Sequence, residues 1–158
     1  MKSGPILNYA LSAAIAGLGH TDCVAVVDAG CPRPADATIV DLAITEDMPS
    51  IEFVLELLTK ELIYEKVEVA SAQREFNPLL HRDITKIIKR CPVDIVEPDE
   101  LMRRIQTECR LVVRTGAFSP WGNVILTCGV DAPKWFSKPE VITPKFYRSR
   151  VEYRDNKE

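Results

Sequence analysis

The chain has 158 residues, 46% hydrophobic and 27% charged, with a formal net charge of −3. That is the make-up of a single soluble globular domain with a core of its own. The mild acidity excludes a general nucleic-acid or anionic-membrane binder. No apolar run approaches the ~20 residues of a membrane span, so membrane insertion is excluded as well. The first residues lead into an interrupted apolar pattern with no signal-peptide core, which makes the cytoplasm the expected location.

Asn8 is placed to cap a helix over Tyr9 to Leu18, with Leu7, Leu11, Ile15 and Leu18 at helical spacing and Gly19 as its stop. Cys23 to Val27 is a continuous apolar run and reads as a buried strand. The segment from Ala29 to Pro34 is loop, punctuated by Gly30, Pro32 and Pro34. Thr38 to Ile44 reads as a second strand, and Thr45 to Pro49 as the start of a helix whose inner face is Ile51, Val54, Leu55, Leu58 and Leu62. Tyr64 to Ala70 alternates as a strand, and Asn77-Pro78 opens a helix to about Lys89. Val93 to Val96 is a short strand, and Pro98-Asp99-Glu100 starts a helix to about Glu108. Leu111 to Arg114 and Asn123 to Thr127 are the last strands, joined by a turn-rich loop that leaves an antiparallel pairing of the two open. Alternating strands and helices predict an α/β fold, a three-layer sandwich with a mixed sheet flanked by helices. From Asp131 on, prolines interrupt every pattern and aromatics interleave with Lys and Arg. Residues 131–158 are therefore predicted to be an extended C-terminal segment packed on a surface or on a neighbouring subunit, after a single domain over 1–130.

The chemistry available is narrow. Neither a phosphate-binding glycine loop nor a nucleophile elbow is present. Cysteines 23, 31, 91, 109 and 128 lack the clustered spacing of a metal or redox centre and read as small buried hydrophobes. The expectation is a protein that needs no metal and no cofactor. Of the two histidines, His20 follows Gly19 on a tight turn between a helix and a strand, with Asp22 and Asp28 nearby in sequence. An imidazole there either caps the helix or moves protons near neutral pH, oriented by a carboxylate. Asp28 ends a buried strand, where α/β proteins place ligand-binding groups or turn caps. His81 falls inside a helix and reads as an ordinary satisfied histidine. Asn123 can offer a hydroxyl-rich ligand both a donor and an acceptor, and Trp121 a flat wall; each is equally readable as a turn or core residue.

The motifs Leu18-Gly19-His20-Thr21-Asp22, Asp28-Ala29-Gly30-Cys31-Pro32-Arg33-Pro34, Asn77-Pro78 with His81, Arg114-Thr115-Gly116, and Ser119-Pro120-Trp121-Gly122-Asn123 occur in order across residues 2–130. In this the chain resembles the D-ribose pyranase family of ribose mutarotases, related to the L-fucose mutarotases. Thr21 and the proline-flanked Gly30 look more like the ribose branch. The resemblance implies an isomerase that interconverts the ring forms of a free monosaccharide, as a homo-oligomeric ring, a pentamer or decamer, with sites at subunit borders. It implies His20 as the acid–base residue, with Asp28, Asp99, Trp121, Gly122 and Asn123 as substrate ligands. Asp99 stands where the family usually has a histidine, and Trp121 where it usually has a tyrosine. The alternatives are a non-catalytic sugar-binding or ribose-transport accessory protein on the same scaffold, or an L-fucose-type mutarotase.

Overall fold

Runs of β-branched residues alternate with amphipathic segments along the chain, and the computed structural model, which describes residues 3–152, folds them into one layered unit. Helix α1 (Tyr9–Ala16) leads to strand β1 (Cys23–Val27), then β2 (Thr38–Asp41), α2 (Ile51–Glu61) and β3 (Tyr64–Ala70). Helices α3 (Ser71–Phe76) and α4 (Pro78–Ile87) precede β4 (Val93–Val96), α5 (Pro98–Thr107), β5 (Cys109–Arg114) and β6 (Val124–Cys128). Two short helices, α6 (Ala132–Trp135) and α7 (Arg148–Glu152), follow, with a 3-10 turn at Lys145–Tyr147.

The six strands form one sheet in the order β2-β5-β1-β6-β3-β4. β6 runs antiparallel to both its neighbours, β1 and β3, while the β1–β5, β2–β5 and β3–β4 pairs are parallel. The predicted mixed sheet is therefore correct, but the two late strands are not partners: β1 lies between them. The carboxyl ends of β1 to β5 share one edge of the sheet with the amino end of β6. This is the edge where open α/β sheets carry ligands.

Helices cover both faces. On one, Leu11 of α1, Val54, Leu55 and Leu58 of α2 and Ile84 of α4 pack on Val24, Val26, Val69, Val113 and Leu126. On the other, Leu101 and Ile105 of α5 pack on Ala25, Val27, Val112 and Ile125. Each such aliphatic side chain stabilises the fold by about 1.5–3 kcal/mol on burial. β1 is buried at every residue because it is central and covered on both faces, which explains its uninterrupted apolar sequence.

Three expectations change. The strand over Thr38–Ile44 stops at Asp41, whose carboxylate turns back to accept from the Ala43 N–H and to pair with Arg33 and Arg114. Thr45 to Met48 is a tight bridged turn, not a helix start; α2 begins after Ser50, whose hydroxyl accepts from the Phe53 N–H. The C-terminal segment is not simply extended. Asp131 caps α6 through the Lys134 N–H, and Phe136, Tyr147 and Phe146 stack with ring centroids 5.1 Å apart in each successive pair. α3 has no counterpart in the sequence reading: it is six residues long, with no side-chain cap to announce it. The charged run Arg154 to Glu158, which from its sequence is expected to fray, lies outside the described residues.

Candidate functional site

Asp28 is the first residue after β1. Its backbone N–H donates to Asn123 Oδ1 at 3.1 Å, and its carboxylate accepts from the Gly30 N–H at 2.9 Å. The turn is strapped from β5 and the segment after it. The Thr115 hydroxyl donates to the Val27 carbonyl at 2.8 Å, and the Arg114 guanidinium donates to the Ala29 carbonyl at 2.9 and 3.1 Å. Burial raises the Asp28 pKa. The backbone N–H groups of Gly30 and Cys31, the Asn123 side chain and the Arg114 charge oppose that rise in turn. The result is a half-buried carboxylate fixed in one orientation.

Beside it lies a cavity of about 300 Å³ lined by Asp28, Gly30, Ala70, Leu101, Met102, Trp121 and Asn123, with Cys31, Pro32 and Pro98 completing the wall. That volume is at the bottom of the range of about 300–1,000 Å³ for small-molecule pockets, so it suits one small ring and not a dinucleotide. A second cavity of about 410 Å³, with Arg114 and Phe118 in its wall, lies across the Asp28–Gly30 turn. The first is the candidate site because it gathers a carboxylate, an amide and an indole over an apolar floor. Those are the groups a hydroxyl-rich ring requires: acceptors and donors at its edge, a flat apolar surface on its face.

The Trp121 loop is built with care. Trp121 has φ 61, a left-handed conformation that costs a non-glycine residue about 1–2 kcal/mol. Two side chains hold it there. Gln73, fully buried, donates from Nε2 to the Trp121 carbonyl at 2.7 Å, and Asn77 Nδ2 donates to the Pro120 carbonyl at 3.0 Å. The His81 ring nitrogen Nδ1 sits 3.4 Å from the other Gln73 amide atom. His81 is thus satisfied, as expected, but it braces the loop through Gln73. Gly122 is required by close approach: a Cβ there would lie 2.5 Å from the Ile51 Cδ1 and 2.8 Å from the Ser119 carbonyl oxygen. Gly122, expected as a substrate ligand, is not among the residues that line the cavity, whereas its neighbours Trp121 and Asn123 are. Gln73 and the apolar floor were not singled out from sequence, and Asn77 was read as a helix opener and a motif residue, not as a brace of this loop. Gln73 sits in an ordinary polar stretch after β3, and nothing in the pattern marks it as buried.

Asp99 is exposed in the first turn of α5 and is not among the residues that line the cavity, although its neighbour Pro98 is. His20 lies elsewhere. It precedes β1, at the opposite edge of the sheet, where the Thr21 N–H donates to the Cys128 carbonyl. The five residues of β1 alone span about 17 Å. Within one chain His20 therefore does not meet Asp28. Asp22 does not orient it either: that carboxylate accepts from the Gly19 N–H at 2.7 Å and lies 3.8 Å from the Arg110 guanidinium. The partner of His20 is Glu65 at the start of β3, both of whose oxygens lie 3.3 Å from Nε2. All five cysteines are free, and burial pushes the thiols of Cys31, Cys91 and Cys128 up to about 11 and that of Cys109 to about 12. These thiols stay protonated and inert. Among the described residues no helix is long and apolar enough to cross a membrane.

Fold and cavity together define an α/β protein with a small-ligand site at the carboxyl edge of a mixed sheet. The sequence profile of the RbsD / FucU transport protein family matches residues 1–131, and the chain belongs to that family. It is 43% identical over 151 residues to D-ribose pyranase 2 of Rubrobacter xylanophilus, covering 96% of this chain and 98% of that one. D-ribose pyranase of Citrobacter koseri is 36% identical over 137 residues, covering 82% and 99%. Among solved structures, Bacillus subtilis RbsD complexed with D-ribose superposes with a TM-score of 0.78 at 30% identity, over 82% of this chain and 98% of that one. The fucose mutarotase of Streptococcus pneumoniae, in complex with L-fucose, shares the fold, with a TM-score of 0.64 at 17% identity over 82% and 99% of the two chains. Similarity to the Rubrobacter protein extends well past residue 131, so the C-terminal segment is not peculiar to this chain.

Proposed function

We propose that this protein is a mutarotase, an isomerase that interconverts the pyranose and furanose forms of a free monosaccharide, D-ribose first among them. The observation that carries this reading is the convergence of Asp28, Trp121 and Asn123 on one small cavity. The relatives named D-ribose pyranase and the ribose complex of the Bacillus protein support the choice of sugar. Asp28 accepts a sugar hydroxyl, Asn123 both donates and accepts, and Trp121 covers a ring face. The chemistry is proton transfer. The anomeric hydroxyl gives its proton to a base, its oxygen forms the carbonyl, and the C1–ring oxygen bond breaks. The released ring oxygen takes the proton back. Attack by a different hydroxyl on C1 then closes the other ring, with no net change in protons or electrons. A positioned side chain contributes about 10²–10⁴-fold to such a step.

His20 is the proposed acid–base group, and it acts in the cavity of a second copy of the chain. Two observations support this: the length of β1 separates His20 from its own Asp28, and the rim of the cavity edge is apolar. Phe76, Leu79 and Phe118 are each more than 60% exposed there, a surface suited to cover by another subunit. Joining the His20 edge of one copy to the cavity edge of the next is a heterologous contact, the kind that closes into rings. We place this homo-oligomer in the cytoplasm, a reducing compartment that suits five free cysteines.

Saturation-transfer NMR on free ribose and fucose tests the reading directly: exchange between ring forms accelerates with protein and is lost in His20→Ala. Mixing His20→Ala with Asp28→Asn subunits restores up to about one quarter of sites if each site draws on two copies. Unchanged exchange for every sugar, with sugar binding retained, transfers the protein to the sugar-binding alternative. The exposed carboxylate of Asp99, in place of an imidazole, is the observation that favours that second reading.

A further inference from the structure

We propose that Glu65, gripped from its far side by Arg150 of the C-terminal segment, is a positioning residue that decides which nitrogen of His20 does the work. The inference rests on His20 being the proton carrier of the proposed reaction, but its first observable does not.

Glu65 opens β3, next to the carboxyl end of β6, and its side chain is largely buried. It is packed against the backbone at Gly129, where even a Cβ would lie 3.2 Å from Oε2. Two groups converge on its carboxylate. His20 Nε2 stands 3.3 Å from both oxygens, and Arg150 Nη1 stands 3.2 Å from Oε2. Arg150 is itself fixed, its guanidinium carbon 4.9 Å from the centre of the Tyr147 ring, which stacks on Phe136 and Phe146. The aromatic cluster of the C-terminal segment therefore sets the orientation of a carboxylate that faces His20.

The chemical consequence follows from what each atom can do. An ionised carboxylate only accepts hydrogen bonds. In a neutral imidazole, one nitrogen donates and the other accepts, and a partner on one nitrogen determines the role of the other. Glu65 on Nε2 therefore puts the hydrogen on Nε2 and leaves the lone pair on Nδ1. Nδ1 becomes the atom that receives the anomeric proton, and the carboxylate stabilises the imidazolium that results. Arg150, on Oε2, keeps the carboxylate from rotating out of line. Asp22 cannot substitute, because it is committed to Gly19 and Arg110.

The experiment is ¹⁵N NMR of the imidazoles of the full-length protein in mildly alkaline buffer, with His20→Ala used to assign the His20 signals, combined with saturation transfer on ribose. The wild-type His20 is expected to be the Nε2–H tautomer. In Glu65→Gln it becomes a mixture, and kcat for ring exchange falls by about 10–100-fold at unchanged KM, the usual scale for a group that orients a working residue. Glu65→Asp keeps an acceptor and recovers part of the rate. Arg150→Ala, on an exposed helix and with no role in the core, shifts the tautomer ratio in the same direction by less. A wild-type Nδ1–H tautomer overturns the proposal, as does an unchanged tautomer in both Glu65→Gln and Arg150→Ala. If ribose is not exchanged at all while the Nε2–H tautomer responds as expected, the positioning stands and the mutarotase reading falls.

Discussion

Gln73→Leu probes the frame of the cavity without touching its lining. The replacement is close in size and keeps the site apolar, but it removes the donor to the Trp121 carbonyl and the contact to His81. Gln73 is fully buried and its bond to Trp121 is half-buried, so water replaces the lost donor only in part. A buried acceptor left without a donor costs about 1–3 kcal/mol. Trp121 decides how the loop responds and limits the loss. Its φ of 61 is held against a preference of about 1–2 kcal/mol, so a loop freed from Gln73 gains by leaving that conformation. For a chain of this size, 1 kcal/mol moves Tm by about 2–4 °C, so Tm is expected to fall by about 2–12 °C. The indole also leaves its place beside Asn123, and the KM for sugar rises. Thermal denaturation by circular dichroism and saturation transfer over a ribose series measure the two quantities. A variant with wild-type Tm and wild-type KM refutes the bracing role assigned to Gln73.

Asp28→Asn is expected to abolish exchange and to stabilise the fold at neutral pH. The sign follows from burial, which raises the Asp28 pKa above 3.8. The folded state favours the protonated acid, so ionisation costs stability at neutral pH and costs nothing below the unfolded value. The advantage of Asn therefore shrinks as pH falls through the raised pKa; urea midpoints at neutral and acidic pH measure it, and an equal difference at both contradicts the account. Arg104→Met removes one of two cations from Glu68, which is 2% exposed and keeps Lys66 at 2.8 Å. Complete loss of the partner of a buried charge costs about 3–5 kcal/mol, so the single variant is expected to lose less than that, and Arg104→Met with Glu68→Leu recovers most of the loss. Urea unfolding of the two variants decides, and a single variant as stable as the double removes the argument.

Periodicity made the sheet legible, because each buried strand announces itself by an apolar run and each covering helix by a stripe. Asp28 was legible as a ligand candidate because it ends a buried strand, and Trp121 and Asn123 because of their side-chain chemistry and the motif that contains them. What sequence does not carry is distance across the fold. Asp28, the carboxylate expected to orient His20, lies a strand's length away, and Asp22, two residues from His20, closes its own turn. Glu65 is 45 positions away and faces the imidazole. Gln73 was invisible for a related reason: a glutamine reads as surface until a specific carbonyl is known to await it. The turn at Thr45–Met48 misled because its Pro49 mimics a helix start, when the cap is supplied by Ser50.

The separation of His20 from the cavity has its own consequence. Inside one chain the cavity offers Asp28, Asn123 and the Trp121 indole but no imidazole, and the proposed reaction assigns the proton to His20. Asp99 adds no second base, since it is exposed on α5 outside the lining. Binding and ring exchange should therefore come apart when subunits come apart. Phe118, 64% exposed on the rim, is the place to cut: Phe118→Glu puts a charge into the apolar contact and leaves the backbone N–H free to keep its 2.9 Å bond to Asp47. The variant is expected to elute as a smaller species, to retain ribose binding by Trp121 fluorescence within about 10-fold, and to lose exchange to the level of His20→Ala. A monomer that still exchanges ribose at the wild-type rate would mean that some group already in the cavity moves the proton, and His20 would lose its role.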